Sequence, residues 1–428
     1  MIYLLLFGGL LALVMINVPI AVSIGVVAIG GMLLTSGSDA MLNVPLTLYE
    51  GATKFPLLAI PLFVLAGELM NTSSISRRLI DLVSAMIGFV RGGLAMVNIG
   101  VSMFFAEISG SAVADVAATG SVLMPAMKKR GYKPTFVAAI TSSSASLAII
   151  IPPSISMILY GAIADTSIVK LFLAGVVPGV LGGALMMALS YYFAIRYNLP
   201  REEAFSWRNL RQKFKEAIWA LFLPVIILGG IFGGVVTATE GAGLAVIAAL
   251  VIGFIIYREL TLAHLYKCMV RASVQTAAVM LLVATSALLG LFLTEVRLPQ
   301  QMAQAILDFT ESKIVVLMLL NVLFFILGMF LHGAAAIILV VPMVLPLVLQ
   351  FGIDPIHFGL IVTLNLAIGQ QTPPVASVLA TACSIAKVDI WSTTRANLPF
   401  IGVLIALLLV VTYVPFITLG LVDLVYGN

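Results

Sequence analysis

Two stretches of this sequence share one pattern: PAMKKRGYKPTFVAAITSSSASLAIIIPPS at residues 125–154 and PLVLQFGIDPIHFGLIVTLNLAIGQQTPPV at residues 346–375. Both read P-x5-G-x2-P-x17-P-P, with a constant offset of 221 residues and no gap. Only 19 of the 428 residues are proline, so five coincident proline and glycine positions indicate an internal repeat. A proline inside a helix removes a backbone donor and clashes with the preceding turn. The pattern therefore predicts two related units, each with a helix broken at its Pro-Pro pair.

The composition of the whole chain places these units in a membrane. Of its residues, 62% are hydrophobic and 9% are charged, and the mean hydropathy is +1.19. Soluble domains carry about 25% charged residues, so a soluble enzyme and a nucleic-acid-binding protein are excluded, despite a pI near 9.0. Cys268 and Cys383 form no CxxC motif and indicate neither a disulfide framework nor a metal site. The chain is predicted to be an all-α polytopic membrane protein.

Apolar segments divide the chain into membrane spans, which need about 20 helical residues each. The first apolar stretch is interpreted as two spans and not as a signal peptide, because it lacks a basic start and an AxA-like site. Continuous spans are predicted near residues 2–16, 19–34, 57–70, 171–195, 217–236, 243–257, 272–293 and 398–419. Broken helices are predicted at 134–161 and 357–385. Re-entrant helical hairpins are predicted at 92–130 and 314–350, interrupted by GSA at 110–112 and HGAAA at 332–336.

The distribution of lysine and arginine predicts the orientation, because cytoplasmic loops carry an excess of both. If each hairpin enters and leaves on one side, 18 of the 22 basic residues lie on one face, which is then cytoplasmic, and the N-terminus lies outside. With this topology the first hairpin opens toward the cytoplasm and the second toward the outside. The units 1–195 and 217–428 are therefore predicted to be inverted-topology repeats. A basic, amphipathic cytoplasmic connector at 196–216 joins them and suits the surface of the lipid bilayer.

The broken helices predict where ions and anions bind. Broken backbone at membrane depth is tolerated where it lines a cavity or is buried in protein, and a packed kink is the alternative for each Pro-Pro pair. Helix C-termini favour cations and helix N-termini favour anions. We therefore expect Na⁺ sites at the carbonyl-rich ends before the Pro-Pro pairs, and anion sites at the helix starts at 111–113, 333–335, Ser154 and Val375.

Polar side chains cluster around these breaks. The alternative for each hydroxyl is a hydrogen bond to the carbonyl of its own helix. The hydroxyl and amide side chains expected near the midplane are Ser109, Ser111, Ser142, Ser143, Ser144, Ser146, Asn365, Gln370, Gln371 and Thr372.

Asp115 is an ionisable residue inside the first apolar hairpin, which makes it a functional candidate. Its alternative is a first-turn carboxylate stabilised by a helix N-terminus, and its repeat counterpart, Ala336, supports neither. Glu107 is equally open, and His332 either titrates or packs as a satisfied histidine. The sequence contains no P-loop, HExxH, GxSxG or acid–base pair, so nothing indicates ATP hydrolysis or an enzyme.

The runs SGSAVADVAATGSVLMPAMKKRGY at 109–132, IIPPS at 150–154 and GQQTPPV at 369–375 resemble the large membrane subunit of tripartite ATP-independent periplasmic (TRAP) transporters. The resemblance extends over essentially the whole chain. It implies an elevator-type protein, similar to the divalent-anion/sodium symporters of the ion transporter superfamily. A transport domain of two hairpins and two broken helices would slide against a scaffold braced by arm helices, for which 71–89 and 294–311 are candidates.

The resemblance also implies a substrate, a coupling ion and partners. The substrate would be an organic-acid carboxylate, either sialic acid or a C4-dicarboxylate, with Na⁺ as the coupling ion and no ATP. A periplasmic substrate-binding protein would deliver it, and a small four-helix membrane subunit, expected as a separate polypeptide, would pack on the scaffold in the bacterial inner membrane. Two alternatives stay open: a stand-alone sodium/carboxylate symporter or antiporter of the same fold, and a structural or channel-like membrane subunit.

Site residues follow from the resemblance position by position. The implied substrate-binding residues are Ser109, Gly110, Ser111, Asp115, Ser154, Gly333, Thr372 and Pro373. The implied sodium sites lie near Ser109, Ser111, Ala112, Ser142, Ser143, Ser144, Ser146, Ile149, Pro152, Gly328, Gly333, Asn365, Gly369, Gln370 and Thr372. The second tip, HGAAA, lacks the hydroxyl and carboxylate of the first, so the two tips are not expected to bind identically.

Overall fold

Long apolar segments favour helices in a membrane, because a helix satisfies its own backbone hydrogen bonds. A computed structural model describes residues 8–10, 12–14, 16, 18–201 and 204–427, without the side chains of residues 107–109. The named elements of this described chain are helices. Nine of its helical stretches are long and apolar enough to cross a membrane. The prediction of an all-α polytopic membrane protein is confirmed, although the predicted span at 2–16 falls largely outside the described residues.

Between Ile20 and Arg196 the structure has nine named helices. They are α1 (Ile20–Ser36), α2 (Asn43–Ala52), α3 (Ala59–Thr72), α4 (Ile75–Ile87), α5 (Gly93–Ser109), α6 (Ala112–Lys129), α7 (Pro134–Ala145), α8 (Ile155–Ile163) and α9 (Ile168–Arg196). We call α5 and α6 the first hairpin, and residues 110–111 its tip. A 3-10 segment, Ser146–Ile149, ends α7. Residues 150–154, which contain the Pro-Pro pair, separate it from α8 and are called the first break.

Ten helices form the second half. They are α10 (Trp207–Phe232), α11 (Ala238–Val251), α12 (Leu262–Glu295), α13 (Leu298–Phe309), α14 (Lys313–Phe330), α15 (Gly333–Gln350), α16 (Pro355–Gly369), α17 (Ser377–Ala386), α18 (Ile390–Tyr413) and α19 (Phe416–Tyr426). We call α14 and α15 the second hairpin, and residues 331–333 its tip. Residues 370–376 separate α16 from α17 and are called the second break.

Three segments differ from their sequence-based expectation. Helix α2 was not predicted, because its sequence NVPLTLYEGA is too short and too polar to be recognised as a span. The predicted connector at 196–216 contains the first turns of α10, which begins at Trp207 with the Ser206 hydroxyl accepting from Asn209 N. The span predicted near 398–419 has different bounds: the apolar helix α18 begins at Ile390 and ends at Tyr413, and a separate helix, α19, begins after Pro415, since proline has no N–H to continue the helix.

The helices of the described chain form two groups, which meet where α12 packs on α15 and α3 packs on α5. Helices α1, α2, α3, α11 and α12 pack on one another. The hairpins pack with the broken helices, α9 and α18. Within this second group the two halves exchange contacts, because α17 packs against α6 and α7 while α15 packs against α8. This exchange positions the two breaks close to each other.

Candidate functional site

The tip of the first hairpin rests on the first break. Gly110 adopts the left-handed conformation, with a φ of +55°. A Cβ atom on Gly110 would lie 3.2 Å from both the Pro153 carbonyl oxygen and the Ile155 nitrogen, so the close approach requires glycine. Ser154, predicted to bind substrate, donates to the Ile149 carbonyl at 2.7 Å and accepts from Met157 N at 3.4 Å. Its hydroxyl therefore caps α8 and satisfies backbone groups on both sides of the break.

The tip of the second hairpin lies against the second break and against the start of α8, just after the first break. A Cβ atom on Gly333 would lie 2.9 Å from Gln370 Nε2 in the second break and 3.7 Å from Ser156 Oγ in α8. Val375 N in the second break donates to the Met329 carbonyl near the tip at 3.2 Å. The two tips and the two breaks thus meet in one region of the molecule.

Two glycines allow the second hairpin to touch its broken helix directly. A Cβ atom on Gly369, the last residue of α16, would lie 2.6 Å from both Cα and the carbonyl carbon of Gly328 in α14. Backbone therefore packs against backbone at this point, beside the carbonyl-rich end of α16. Both glycines are among the predicted sodium-site residues.

The three consecutive serines of α7 differ in their surroundings, because consecutive helical residues point about 100° apart. Ser143 Oγ lies 2.6 Å from both Gln371 Oε1 in the second break and Asn397 Oδ1 in α18. Ser144 donates to Asn98 Oδ1 in α5 at 3.3 Å. Ser142 Oγ is buried and has no hydrogen-bond partner among the described residues.

The second broken helix has a comparable buried amide. Asn365 Nδ2 donates to Asn321 Oδ1 in α14 at 2.6 Å and to the Ile361 carbonyl at 2.9 Å. Asn321 in turn donates to Thr412 Oγ1 in α18 at 3.1 Å. Asn365 Oδ1 is buried and has no hydrogen-bond partner within the described part of the chain.

Each broken helix therefore has one buried side-chain oxygen without a hydrogen bond, Ser142 Oγ before the first break and Asn365 Oδ1 before the second. Such an atom costs about 1–3 kcal/mol unless a ligand or water satisfies it. Hydroxyl, amide and carbonyl oxygens suit a hard cation. The described residues contain no group of three His, Cys, Asp or Glu side chains that could hold a metal ion. The oxygen set therefore suits a hard cation better than a transition metal.

Other predicted hydroxyls and amides bond to their own helix, as their alternative interpretation expected. Thr372 Oγ1 donates to the Ile368 carbonyl at 3.0 Å, and Ser146 Oγ donates to the Ser142 carbonyl at 3.3 Å. Gln370 Nε2 donates to the Leu366 carbonyl at 3.3 Å. These bonds occupy the donors but leave the oxygen lone pairs of the three side chains available to a ligand.

Asp115 lies in the first turn of α6, close to the first tip, and not in either break. It is fully buried, and its carboxylate oxygens have no hydrogen bond within the described chain. Ser102 of α5 faces it, but the Ser102 hydroxyl donates to Ser144 Oγ at 3.0 Å. The side chains of Ser109 and Glu107, also predicted candidates, lie outside the described residues.

Three asparagines and a lysine make buried or interhelical contacts that the sequence did not predict. Asn98, Asn321 and Asn397 are buried amides on long apolar helices, and an isolated amide in such a helix is the signal that could have identified them. Lys54 Nζ donates to the Ala162 carbonyl in α8 at 2.9 Å. This contact lies in a crevice of about 170 Å³ between α2 and α12 on one side and α8 and α15 on the other.

A family model described as "Tripartite ATP-independent periplasmic transporter, DctM component" matches residues 7–417. The chain belongs to the TRAP transporter family. The predicted family is confirmed, and so is the prediction that the chain is not an enzyme, because the relatives described below are transporter permease proteins.

Three relatives illustrate the TRAP family. The isethionate TRAP transporter permease protein DctMQ of Oleidesulfovibrio alaskensis is 41% identical over 413 residues, and the match covers 96% of this chain and 65% of that protein. The C4-dicarboxylate TRAP transporter large permease protein DctM of Vibrio cholerae is 36% identical, with coverage of 99% and 98%. The sialic acid TRAP transporter permease protein SiaT of Haemophilus influenzae is 37% identical, with coverage of 84% and 59%.

A solved structure shares the TRAP chain's fold. The YdaH transporter of Alcanivorax borkumensis, described as having an unusual topology, superposes with a TM-score of 0.65 over 90% of each chain. The two sequences are 14% identical, so this likeness concerns the fold alone.

Proposed function

We propose that this chain is the large membrane subunit of a TRAP transporter that imports an organic-acid anion across the bacterial inner membrane, driven by Na⁺. The relatives are named for isethionate, C4-dicarboxylate and sialic acid, which are all organic acids. The observation that carries the proposal is the meeting of the two tips and the two breaks in one region. Each broken helix also has a buried oxygen, Ser142 Oγ or Asn365 Oδ1, without a hydrogen bond among the described residues.

The polarity of the helix ends separates the ions from the substrate. Carbonyl groups at the ends of α7 and α16 carry partial negative charge and favour Na⁺, with Ser142 and Asn365 supplying side-chain oxygens. The first turns of α6 and α15 present free N–H groups beside Gly110 and Gly333, and these favour the carboxylate of the substrate. Thr372 lies in the second break, and its hydroxyl oxygen still has lone pairs available to a ligand.

The two groups of packed helices support an elevator mechanism. The hairpins, the broken helices, α9 and α18 would move as the transport domain against a scaffold of α1–α3 and α10–α12, with α4 and α13 as arms. We also propose a small membrane subunit on the scaffold, a periplasmic binding protein as the donor of substrate, and an N-terminus on the periplasmic side. The 18 basic residues on the opposite face support that orientation.

Uptake into proteoliposomes tests this function. The chain would be reconstituted with its small membrane subunit, and labelled succinate or sialic acid would be added with an inward Na⁺ gradient, with and without the binding protein. We expect uptake that requires both Na⁺ and the binding protein. Uptake without the binding protein would favour a stand-alone symporter, and uptake without Na⁺ would contradict the coupling ion.

A matched pair of variants tests the site. Thr372 and Thr381 are both half-buried, and each donates to the carbonyl four residues earlier in its own helix. Thr372→Leu fills the second break and should lower Na⁺-dependent uptake by about tenfold or more, because small displacements at a binding site are costly. Thr381→Leu, in α17 beyond the break, should keep most of the uptake. Equal uptake by the two variants would remove Thr372 from the site.

A further inference from the structure

A buried polar triad joins the first broken helix to the second break. It consists of Ser143 in α7, Gln371 in the second break and Asn397 in α18, and all three side chains are fully buried. Ser143 Oγ lies 2.6 Å from both Gln371 Oε1 and Asn397 Oδ1, and Asn397 Nδ2 donates to Gln371 Oε1 at 3.3 Å. Gln371 Nε2 donates to the Ala367 carbonyl of α16 at 3.3 Å. The triad thus connects the first broken helix to the second through side chains, in addition to the hydrogen bond from Tyr160 of α8 to the Pro355 carbonyl at 2.7 Å.

The internal repeat does not account for this triad. With the offset of 221 residues, the counterparts of Ser143, Gln371 and Asn397 are Leu364, Ile150 and Val176, which are all apolar. The same offset relates Pro178 inside α9 to Pro399 inside α18, so the register holds as far as these helices. The polar triad therefore exists at one of two equivalent places, and a buried amide is costly unless its hydrogen bonds serve a purpose.

The single hydroxyl proton of Ser143 explains the role of Asn397 in the triad. A hydroxyl carries one proton, so Ser143 donates to Gln371 or to Asn397, but not to both at once. When it donates to one, the other is held by the remaining contact between Asn397 and Gln371. Asn397 therefore keeps the triad closed while Ser143 changes partner.

We propose that Asn397 is a positioning residue that couples the two breaks, so that a cation bound at one raises the affinity of the other. The proposal rests on the Na⁺ sites proposed above. Ser143 directly follows Ser142, and Gln371 directly follows Gln370, which touches the second tip at Gly333. A shift of either broken helix toward a bound cation therefore moves one member of the triad, and Asn397 transmits the shift to the other. Such coupling is reciprocal and typically changes affinity 5- to 150-fold.

Equilibrium binding of Na⁺ to the full-length chain tests the coupling without requiring transport. The purified protein would be titrated with NaCl against choline chloride at constant ionic strength, and the bound Na⁺ measured with a radioactive sodium tracer. Wild type should show sigmoidal binding with a Hill coefficient clearly above 1 and below about 2, the limit for two coupled sites. Asn397→Ala should lower the coefficient to about 1 and raise the half-saturating Na⁺ concentration about 5-fold or more.

Two further variants separate coupling from general damage. Thr393→Ala removes a fully buried hydroxyl from the same helix, one that donates to the Asp389 carbonyl, and should keep the wild-type coefficient. Ser143→Ala removes a smaller group and should reproduce the loss of cooperativity, with no additional loss in the double variant, because both act through one triad. It also keeps the test decisive if Asn397→Ala does not fold.

The outcomes are distinguishable. A wild-type protein that binds Na⁺, with the same Hill coefficient in Asn397→Ala and Ser143→Ala, overturns the coupling and leaves the proposed function intact. A wild-type protein that does not bind Na⁺ overturns the sodium sites and the coupling together. A reduced coefficient in Thr393→Ala as well assigns the effect to α18 packing and also overturns the proposal.

Discussion

The two hairpins make the same kind of contact with their broken helices but differ in charge. In the first, Asn98 of α5 accepts a hydrogen bond from Ser144 of α7. In the second, Asn321 of α14 accepts one from Asn365 of α16. Ser144 and Asn365 are 221 residues apart and so occupy equivalent positions in the repeat. Both halves therefore have a contact between hairpin and broken helix, but only its broken-helix end is equivalent, because the repeat counterpart of Asn98 is Leu319 and not Asn321.

Asp115 shows what has not been kept. It is fully buried in α6 and faces Ser102. Its counterpart, Ala336 in α15, is also fully buried, and the neighbours Ala335 and Ile337 are apolar. Equivalent positions in the two hairpins thus hold a buried carboxylate in one half and a buried methyl group in the other. The breaks require the repeated positions, whereas the chemistry of each hairpin has diverged.

Transferring the carboxylate to the second hairpin is the strongest way to break this comparison. Ala336→Asp would place a carboxylate at a fully buried position between apolar residues. We expect it to lower the free energy of unfolding by at least about 3 kcal/mol. Ala336→Asn has the same shape without the charge and should cost less. Stability of the purified variants against denaturant would be measured at pH 7. Equal stability of the two variants would show that the second hairpin accommodates a carboxylate as the first does.

The close approach of Gly369 to Gly328 gives a second, smaller difference between the halves. A methyl group on Gly369 would lie 2.6 Å from the Gly328 backbone, whereas the repeat counterpart of Gly369 is Ala148, which is already accommodated. Gly369→Ala should destabilise the protein by about 1–3 kcal/mol, the usual cost of overpacking. Ala148→Gly should cost less than about 1 kcal/mol. Thermal unfolding of both variants measures this, and a Gly369→Ala protein as stable as wild type would contradict the backbone contact.

The positions of the helix breaks could be predicted because their causes are local. Pro152 and Pro373 lack backbone N–H groups, so the helices must end near them in any surroundings. Gly110 interrupts the first hairpin in the sequence, and in the structure it adopts a conformation that favours glycine. Constraints of this kind depend on the covalent structure of single residues, so they can be inferred from the sequence.

The partners of the polar side chains could not be predicted, because they depend on which helix packs on which face. The three consecutive serines of α7 were expected to converge, but Ser143 and Ser144 contact different helices. Asn397 bonds to Ser143, which is 254 positions away. Only the packing of α18 against α7 brings these two together. Neither a motif nor the repeat contains that information.

The two arm helices also differ in how they are attached. On the first arm, α4, Arg78 Nη2 pairs with Glu259 Oε1 at 3.1 Å and lies over the Tyr257 ring at 4.0 Å. Glu259 belongs to the segment before α12, so the bond joins the arm to the helices proposed as the scaffold. On the second arm, α13, Asp308 accepts from Gln304 of the same helix at 2.8 Å. The first arm is thus anchored by charge.

The last prediction concerns that anchor and is the smallest. Burial alone would raise the pKa of Glu259, but hydrogen bonds from Ser74 and Arg78 outweigh it and hold the pKa below its usual value. A carboxylate with a lowered pKa stabilises the folded state above the unfolded pKa, and this contribution is lost as the pH falls through the folded pKa. Glu259→Gln should therefore lower the free energy of unfolding by about 0.5 kcal/mol at pH 7, since Glu259 is partly exposed. The difference from wild type should narrow as the pH falls below about 4.3. Asp308→Asn, the control on the other arm, removes a bond within one helix and should show a smaller effect at pH 7. If Glu259→Gln matched wild type at pH 7, or differed from it equally at both pH values, the Arg78–Glu259 pair would not anchor the first arm. The arm would then be held by its apolar face and by the Asp81–Lys213 pair, at 3.0 Å, to α10.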